Sequence, residues 1–251
     1  MNEERMEKAI MENHYEVYRT IARLCGGRHG RSTAYEWTLA PPGNAYPNFI
    51  FNERAEAIDT ETLRRQVKEK VVPPVWISSN PRLEPRIAPA GFRLIRVWKG
   101  MAMGPEELIR PPEPDSLEWA PVKHDGELDT WTEIVAESFD TPVEPGYFNP
   151  LIGKDKLELF LISRDGKPVA TTLNFYQGDT VGVYMVATRA ACRKQGIGQW
   201  AFYRSLRAAF DKGARLAVCS AMPDGVNAWQ KIGFKIYTNL YLYWLVGKEF
   251  I

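Results

Sequence analysis

A short loop that carries two glycines, Arg193-Lys194-Gln195-Gly196-Ile197-Gly198, limits the possible folds of this chain more than any other segment. The loop lies between an apolar run at 181–187 and an amphipathic run at 199–210. Glycines at such a junction let the main chain turn sharply and approach a ligand closely. The helix that follows begins with unpaired N–H groups and the positive end of its dipole, which suits a phosphate or pyrophosphate group. We therefore expect an anion-binding strand–loop–helix unit here.

Apolar periodicity around this unit predicts a mixed α/β (α+β) order of elements. Strands are predicted over 35–39, 49–51, 75–78, 92–98, 117–122, 157–163, 167–175, 181–187, 216–220 and 234–246. Helices are predicted over 2–25, 60–70, 199–212 and 225–232, and a fifth after a capping box of Thr130 and Glu133. Asp59 is the predicted N-cap of the helix at 60–70, and the proline-rich stretch near 111–114 is typical of a linker.

Composition excludes several classes of function. The 32 Lys and Arg residues nearly balance the 31 Asp and Glu residues, so no global field favours nucleic acid or an anionic membrane. The three cysteines and three histidines show neither disulfide nor metal-ligand spacing, and we expect no bound metal. No apolar run approaches the roughly 20 residues that span a bilayer. We expect a cytoplasmic protein that acts without nucleic acid or membrane.

The two halves of the chain repeat weakly. The same interval of 142 positions separates Ser78 from Ser220 and Phe92 from Phe234. A constant interval across strand, helix and strand favours duplication over chance similarity of turns. The interval also places Gly196 and Gly198 on Arg54 and Glu56. Because an acidic side chain at a helix start opposes a pyrophosphate, the first half is expected to keep the scaffold without the phosphate corner.

Residues 117–245 resemble the GNAT superfamily of acyl-CoA-dependent N-acyltransferases. The resemblance is carried by the loop at 193–198, by the strand end at 186–188, and by Trp229-Gln230-Lys231-Ile232-Gly233-Phe234. It implies a mixed, mostly antiparallel sheet flanked by helices. Together with the repeat, it implies two GNAT-like halves: a degenerate domain over 1–110 and an acetyl-CoA-binding domain over 117–251.

The resemblance also implies which residues hold acetyl-CoA. The pyrophosphate would be held by backbone N–H groups of Lys194, Gln195, Gly196, Ile197, Gly198 and Gln199. The pantetheine arm would pair with Val186, Ala187 and Thr188, and Arg193 would shape the loop. Ser220 and Asn227 would be further cofactor contacts.

Two departures from the family pattern affect the acid–base chemistry. Trp229 stands where many members have a tyrosine that reprotonates the leaving thiolate, and an indole cannot serve as a practical acid. The strand at 181–187 also lacks the glutamate that often draws a proton from the amine. Tyr184 is the candidate substitute, either as an acid or as a holder of water, although a core tyrosine on a buried strand is the simpler interpretation.

The resemblance favours an N-acetyltransferase that transfers an acetyl group to a primary amine of a small molecule or peptide. The alternative is a non-catalytic acyl-CoA-binding or sensing protein, and a third hypothesis is transfer of a longer acyl or an aminoacyl group. Gly196, Gly198 and Ala201 could also begin a dinucleotide fingerprint, but the preceding hairpin order argues against it. Cys219 has no histidine near it in sequence and is interpreted as a buried apolar cysteine.

Overall fold

The computed structural model describes residues 2–246 of the 251-residue chain. Six α-helices are present there: α1 (Glu3–Leu24), α2 (Thr60–Lys68), α3 (Glu84–Ile87), α4 (Asp125–Phe139), α5 (Ile197–Asp211) and α6 (Pro223–Lys231). The strands of the same region are β1 (Arg28–Arg31), β2 (Glu36–Leu39), β3 (Phe49–Phe51), β4 (Val75–Ser78), β5 (Phe92–Met103), β6 (Leu117–Pro121), β7 (Leu157–Arg164), β8 (Lys167–Gln177), β9 (Thr180–Thr188), β10 (Leu216–Ala221) and β11 (Lys235–Leu245). The first residue of the predicted domain 1–110 and the last five residues of the predicted domain 117–251 lie outside the described residues.

All of these strands form one open sheet with the order β1-β2-β3-β4-β11-β5-β10-β9-β8-β7-β6. Neighbouring strands are antiparallel, except that β3 is parallel to β4 and β9 is parallel to β10. Each parallel pair is joined through a helix, α2 in the first half and α5 in the second. The mixed, mostly antiparallel fold that the sequence predicts is therefore confirmed.

The last strands of the two halves cross over in the middle of the sheet. β5 belongs to the first half but pairs with β10 and β11 of the second, and β11 pairs with β4 of the first half. The four central strands therefore alternate between the halves. The boundary between residues 110 and 117 stays a prediction.

Helices cover both faces of this sheet. α1 and α4 share one apolar cluster with Val218 and Ile77, whereas α5 packs in a second cluster with Cys219 and α2 in a third with Trp76. Because successive residues of a strand point to opposite faces, α1 and α4 lie on one face and α2 and α5 on the other.

The long helix α1 is positioned by its apolar side. Met6, Ile10, Val17 and Ile21 recur at helical spacing and are buried, so the helix lies across β5, β9, β10 and β11. Its start is capped by Asn2, whose side chain accepts a hydrogen bond from the N–H of Glu4. A helix from the first half thus covers strands of the second half.

The predicted start of α4 is wrong. The helix begins at Asp125 and not after Thr130, because His124 is the N-cap and its Nδ1 accepts from the N–H of Glu127. Thr130 lies inside the helix, where its hydroxyl donates to the carbonyl of Gly126. The predicted N-cap Asp59 is confirmed. Within residues 2–246, no helix is long and apolar enough to cross a membrane.

Candidate functional site

The predicted phosphate corner lies where β9 leads into α5. A short 3₁₀ turn at Ala190–Cys192 follows β9, and α5 then begins with Gly196 as its N-cap residue. Gly196 has a left-handed backbone with φ of 79°, which glycine adopts without the steric cost of a Cβ atom. Lys194 is also left-handed, with φ of 60°. These two left-handed residues turn the chain from the strand into the helix.

The loop presents a row of unpaired amides. Within residues 2–246, the backbone N–H groups of residues 194–199 donate no hydrogen bond. The first internal bond of the helix runs from the N–H of Trp200 to the carbonyl of Gly196, at 2.9 Å. No side chain caps the helix start. Six successive donors are therefore free at the positive end of a 15-residue helix.

Side chains fix the shape of this loop. The Nε atom of Arg193 donates to the carbonyl of Thr188 at 3.0 Å, so this arginine holds the loop to the end of β9. Gln195 accepts from Arg164 and donates to the carbonyl of Ala191. A Cβ atom on Gly198 would lie 3.1 Å from the hydroxyl oxygen of Thr188, so a larger residue fits poorly there. The amides are thus held in place before any ligand arrives.

Nearby, Gln199 reaches across to α6. Its Nε2 atom donates to the carbonyl of Ala228 at 2.9 Å, which ties the first turn of α5 to the following helix. Asn227 is exposed on the same helix. Trp229 packs edge-on against Phe202 of α5, with ring centroids 4.4 Å apart. The indole of Trp229 is therefore a packing group in this structure.

The corresponding corner of the first half is closed. The Asp59 carboxylate accepts from the N–H groups of Glu61 and Thr62 at 3.0 and 3.3 Å, at the start of α2. These backbone hydrogen bonds lower the pKa of Asp59 from its usual value. A negative side chain therefore occupies the place that an anionic ligand would need. The interval of 142 positions points instead to Glu56, which lies in a 3₁₀ turn at Ala55–Ala57, before α2 begins.

A wedge opens between the two parallel strands beside the phosphate corner. β9 and β10 pair only through Thr180, Val181 and Gly182, and the last rung joins Gly182 to Val218. Beyond this rung β10 stays paired with β5, whereas β9 stays paired with β8. The two strands thus separate toward the loop, with 186–188 on one side of the gap.

A bulge in β9 faces this gap. Met185 and Val186 both stand opposite a single residue of β8, and Met185 has φ of 49°. The Thr171 hydroxyl donates to the carbonyl of Met185 at 2.8 Å and holds the bulge. The side chains of Val186 and Thr188 are half-buried, and that of Ala187 is buried. An irregular backbone segment is therefore held rigidly beside the wedge.

Four polar side chains meet at the closed end of the wedge. Tyr184 and Ser220 each lie two residues beyond the last rung, on the face that α1 covers. His14 bridges them, with Nδ1 3.3 Å from the Tyr184 hydroxyl and Nε2 3.0 Å from the Ser220 hydroxyl. The Tyr184 hydroxyl donates to Oδ1 of Asn13 at 2.7 Å. Two residues of the first half thus complete a cluster in the second.

Sequence reasoning missed Asn13 and His14. Both are buried on α1, although the sequence places them among residues of an apolar helical side. The signal available in the sequence is that His14 follows Ile10 by one helical turn and so must face the sheet. Nothing in the sequence indicates that it faces Ser220, 206 residues away.

Burial sets the protonation states in this cluster. It lowers the pKa of His14 to about 4, and it raises the pKa of Tyr184 well above 10. His14 is therefore a neutral base at neutral pH, and Tyr184 is a poor acid. Cys219 is buried with a raised pKa, which makes it unsuited to thiol catalysis. Within the described residues, no group of three or more His, Cys, Asp or Glu could hold a metal ion.

Comparison with known protein families gives a match in the second half of the chain. Residues 134–223 match the family model "Acetyltransferase (GNAT) domain". This segment includes the bulge, the phosphate corner and β10. No curated protein matches the chain.

Solved structures of low identity share the fold across most of the molecule. A GCN5-related N-acetyltransferase from Kribbella flavida is 20% identical with a TM-score of 0.70, covering 90% of this chain and 96% of that one. A GCN5-related N-acetyltransferase from Sphaerobacter thermophilus is 15% identical with a TM-score of 0.61, covering 84% and 80%. A tandem GNAT protein from the clavulanic acid biosynthesis pathway is 11% identical with a TM-score of 0.58, covering 83% and 77%. The chain therefore carries a GNAT acetyltransferase domain at residues 134–223, within a GNAT fold that extends over both of its halves.

Proposed function

We propose that this protein is an N-acetyltransferase that transfers an acetyl group from acetyl-CoA to a primary amine of a small molecule or peptide. The observation that carries the proposal is the row of free amides at 194–199, beside the gap that opens where β9 and β10 cease to pair. A diphosphate suits the amides, and an extended amide-bearing arm suits the unpaired edge of β9. The family supports acyl transfer in general, and the acetyl donor and amine acceptor are the proposal.

Each part of this site has a proposed role toward the donor. The N–H groups of 194–199 hold the diphosphate, and the main chain of 186–188 pairs with the pantetheine amides. Ser220 and Asn227 flank the arm from β10 and α6. When bound, acetyl-CoA would supply a thioester, whose carbonyl carbon an amine can attack directly in a ternary complex.

The main chain at the bulge would assist the reaction. The N–H of Val186 is proposed to donate to the thioester carbonyl and to stabilise the oxyanion that forms there. Positioning of a neutral amine against this carbonyl can supply several kcal/mol of the barrier, about 7–11 in well-aligned cases. Tyr184 is proposed as a positioning residue, because its hydroxyl is committed to Asn13 and His14.

A non-catalytic acyl-CoA sensor is the alternative. One observation favours it, since the indole of Trp229 is packed against Phe202 where the family pattern has an acid. The two candidates differ in turnover and not in donor binding. Thiol release from acetyl-CoA over a panel of primary amines distinguishes them, because a sensor binds the donor and releases no thiol.

Gly198→Glu tests the phosphate corner. The new carboxylate would lie at the free amides, compete for them and repel the diphosphate, so we expect the Kd for acetyl-CoA to rise by about 100-fold or more. The measurement is the increase in Tm with rising acetyl-CoA concentration. Gly126→Glu is the matched control, because it adds the same side chain to the first turn of α4, where a Cβ atom has no neighbour closer than 3.7 Å. Equal stabilisation of both variants by acetyl-CoA would place the donor elsewhere.

A further inference from the structure

We propose that Ser220 carries the proton during acyl transfer and that His14, from the first half of the chain, is the base that acts through it. This inference rests on the proposed function. It supplies the proton acceptor that β9 lacks, since the strand holds no glutamate. In this proposal, residues of both halves form the acyl-transfer site.

The register of the strands places Ser220 at the reacting end of the wedge. Because β9 and β10 are parallel and Gly182 pairs with Val218, Tyr184 and Ser220 stand across from each other just beyond the last rung. An arm that enters beside the loop at 194–199 and follows the gap ends at this point. Ser220 is half-buried, and its backbone is fixed by pairing with Gly100 of β5. Its hydroxyl therefore has a defined position at the closed end.

The hydrogen-bond donors fix the tautomer of His14. Asn13 turns its Nδ2 toward Oε1 of Gln177 at 3.5 Å, so its Oδ1 is free to accept from the Tyr184 hydroxyl. That hydroxyl has one proton and must therefore accept from His14, which places the ring proton on Nδ1.

The other ring nitrogen is consequently an acceptor. With the proton on Nδ1, Nε2 has a free lone pair and lies 3.0 Å from the Ser220 hydroxyl, which donates to it. Tyr184 on β9 and Tyr18 on α1 are titratable groups whose rings lie against this ring, and both are neutral at pH 7. Burial raises the pKa of each still further. The ring is thus neutral, oriented and in contact with one hydroxyl.

This arrangement can move one proton and return it. As the carbon–nitrogen bond forms, the amine nitrogen gives a proton to the oxygen of Ser220, and the hydroxyl proton of Ser220 moves to Nε2 of His14. As the carbon–sulfur bond breaks, the proton returns from Nε2 through Ser220 to the leaving sulfur. The products are an amide and a thiol, and both residues regain their starting state.

Two substitutions test the pair in the full-length protein. Ser220→Ala removes the carrier, and His14→Gln keeps a carbonyl oxygen that can accept from Ser220 but removes the base. We expect each to lower kcat by about 100-fold, the lower end for general acid–base catalysis. In His14→Gln, the KM for acetyl-CoA and the stabilisation by acetyl-CoA should change little, because His14 is buried and acts on the site through Ser220. The double variant should be no slower than Ser220→Ala, because the two residues act as one unit.

Cys219→Ala is the matched control. Cys219 neighbours Ser220 on β10 but packs on the opposite face, in the cluster with α5, so the change should leave kcat within about 3-fold of the wild type. A purely structural role for His14 predicts recovery in His14→Gln, since the hydrogen bond to Ser220 is kept. Wild-type kcat in His14→Gln or in Ser220→Ala would overturn the proposal.

A second measurement does not depend on activity. The ¹⁵N shifts and couplings of the His14 ring in the unliganded protein report which nitrogen carries the proton. We expect protonation at Nδ1 at pH 7, and protonation at Nε2 would overturn the proposal. If the wild type releases thiol and Ser220→Ala releases it equally fast, this inference alone is overturned. If the wild type releases no thiol with any amine of the panel, the proposed function and this inference are overturned together.

Discussion

His14 shows how one side chain in α1 can link stability to pH. The ring is buried, with 1% of its surface exposed, and no charged side chain among residues 2–246 offsets that burial. Its charged form is therefore disfavoured in the folded protein, and its pKa falls from 6.5 to about 4. The unfolded chain takes up the proton at a higher pH than the folded one.

We therefore expect the protein to lose stability as the pH falls from about 6.5 to about 4. Between pH 7 and pH 5, the contribution of His14 to this loss is on the order of 2 kcal/mol, from ~1.4 kcal/mol per unit of pKa difference. Urea unfolding at the two pH values measures the loss. His14→Gln isolates it, because the variant should lose less stability than the wild type by that amount. An equal loss in both proteins would show that the folded pKa of His14 is ordinary.

Residue-level prediction worked for local chemistry and failed for distant contacts. The sharp turn at the glycine loop follows from a few neighbouring residues, and Gly196 has a left-handed backbone there. The loop-shaping role of Arg193 stays a proposal, which its hydrogen bond to the carbonyl of Thr188 supports. The partners of Tyr184 could not be predicted, because Asn13 is 171 positions away in sequence. The apolar periodicity of a sequence does not indicate which helix will pack on a given strand.

The two strand–helix–strand units differ at the first turn of their helix. In α5 no side chain caps the start, whereas in α2 the Asp59 carboxylate does. An N-cap aspartate stabilises its own helix while it removes the free donors that a ligand needs. The same scaffold thus gives an open corner in one half and a closed one in the other.

Asp59→Ala should cost stability without affecting the donor site. We expect the free energy of unfolding to fall by about 1 kcal/mol, which is usual for loss of an N-cap. The Kd for acetyl-CoA should stay unchanged, because the amides that we assign to the donor belong to α5. Urea unfolding and titration with acetyl-CoA measure the two quantities. A large change in Kd would mean that the corner at α2 also binds the donor.

Element prediction was limited by competing local signals. For α4, both His124 and Thr130 can accept a backbone N–H, and the earlier residue caps the helix because the chain is already helical at Asp125. The strand Arg28–Arg31 was not predicted, since its side chains are mostly exposed and polar. Such a polar edge strand carries no apolar alternation, and its pairing with β2 is what defines it.

At the scale of the molecule, the crossed strands make each half dependent on the other. β10 pairs with β5 through residues 217–221, and β11 lies between β4 and β5. The largest apolar cluster contains residues of α1 together with residues of α4 and β9. Neither half buries its apolar surface without the other.

We therefore expect residues 117–251 to fail to fold alone. The fragment would lack β5 between β10 and β11 and would expose the apolar face that α1 covers. Circular dichroism and the dispersion of amide signals in NMR spectra measure folding. Co-expression with residues 1–110 should restore a folded complex that acetyl-CoA stabilises. A folded, monomeric 117–251 with the stability of the full chain would contradict the interdependence of the halves.

The crossover could not be predicted from the sequence, and the repeat of the halves does not imply it. The interval of 142 positions aligns Ser78 with Ser220, and the structure places both on the strand that follows the crossover helix. A repeat does not say whether each last strand joins its own half or the other. Both arrangements satisfy the same alternation of residues, and the choice depends on pairing between residues far apart in sequence.

The crossed order of β5 and β11 has a consequence during translation. Both strand neighbours of β5 belong to the C-terminal half. One neighbour of β4 is β11, which ends at Leu245. The ribosome must therefore translate the chain as far as Leu245 before all strands at the centre of the sheet can pair. Pairing across such long separations slows folding, and until it is complete the nascent first half carries open strand edges that a chaperone would have to shield.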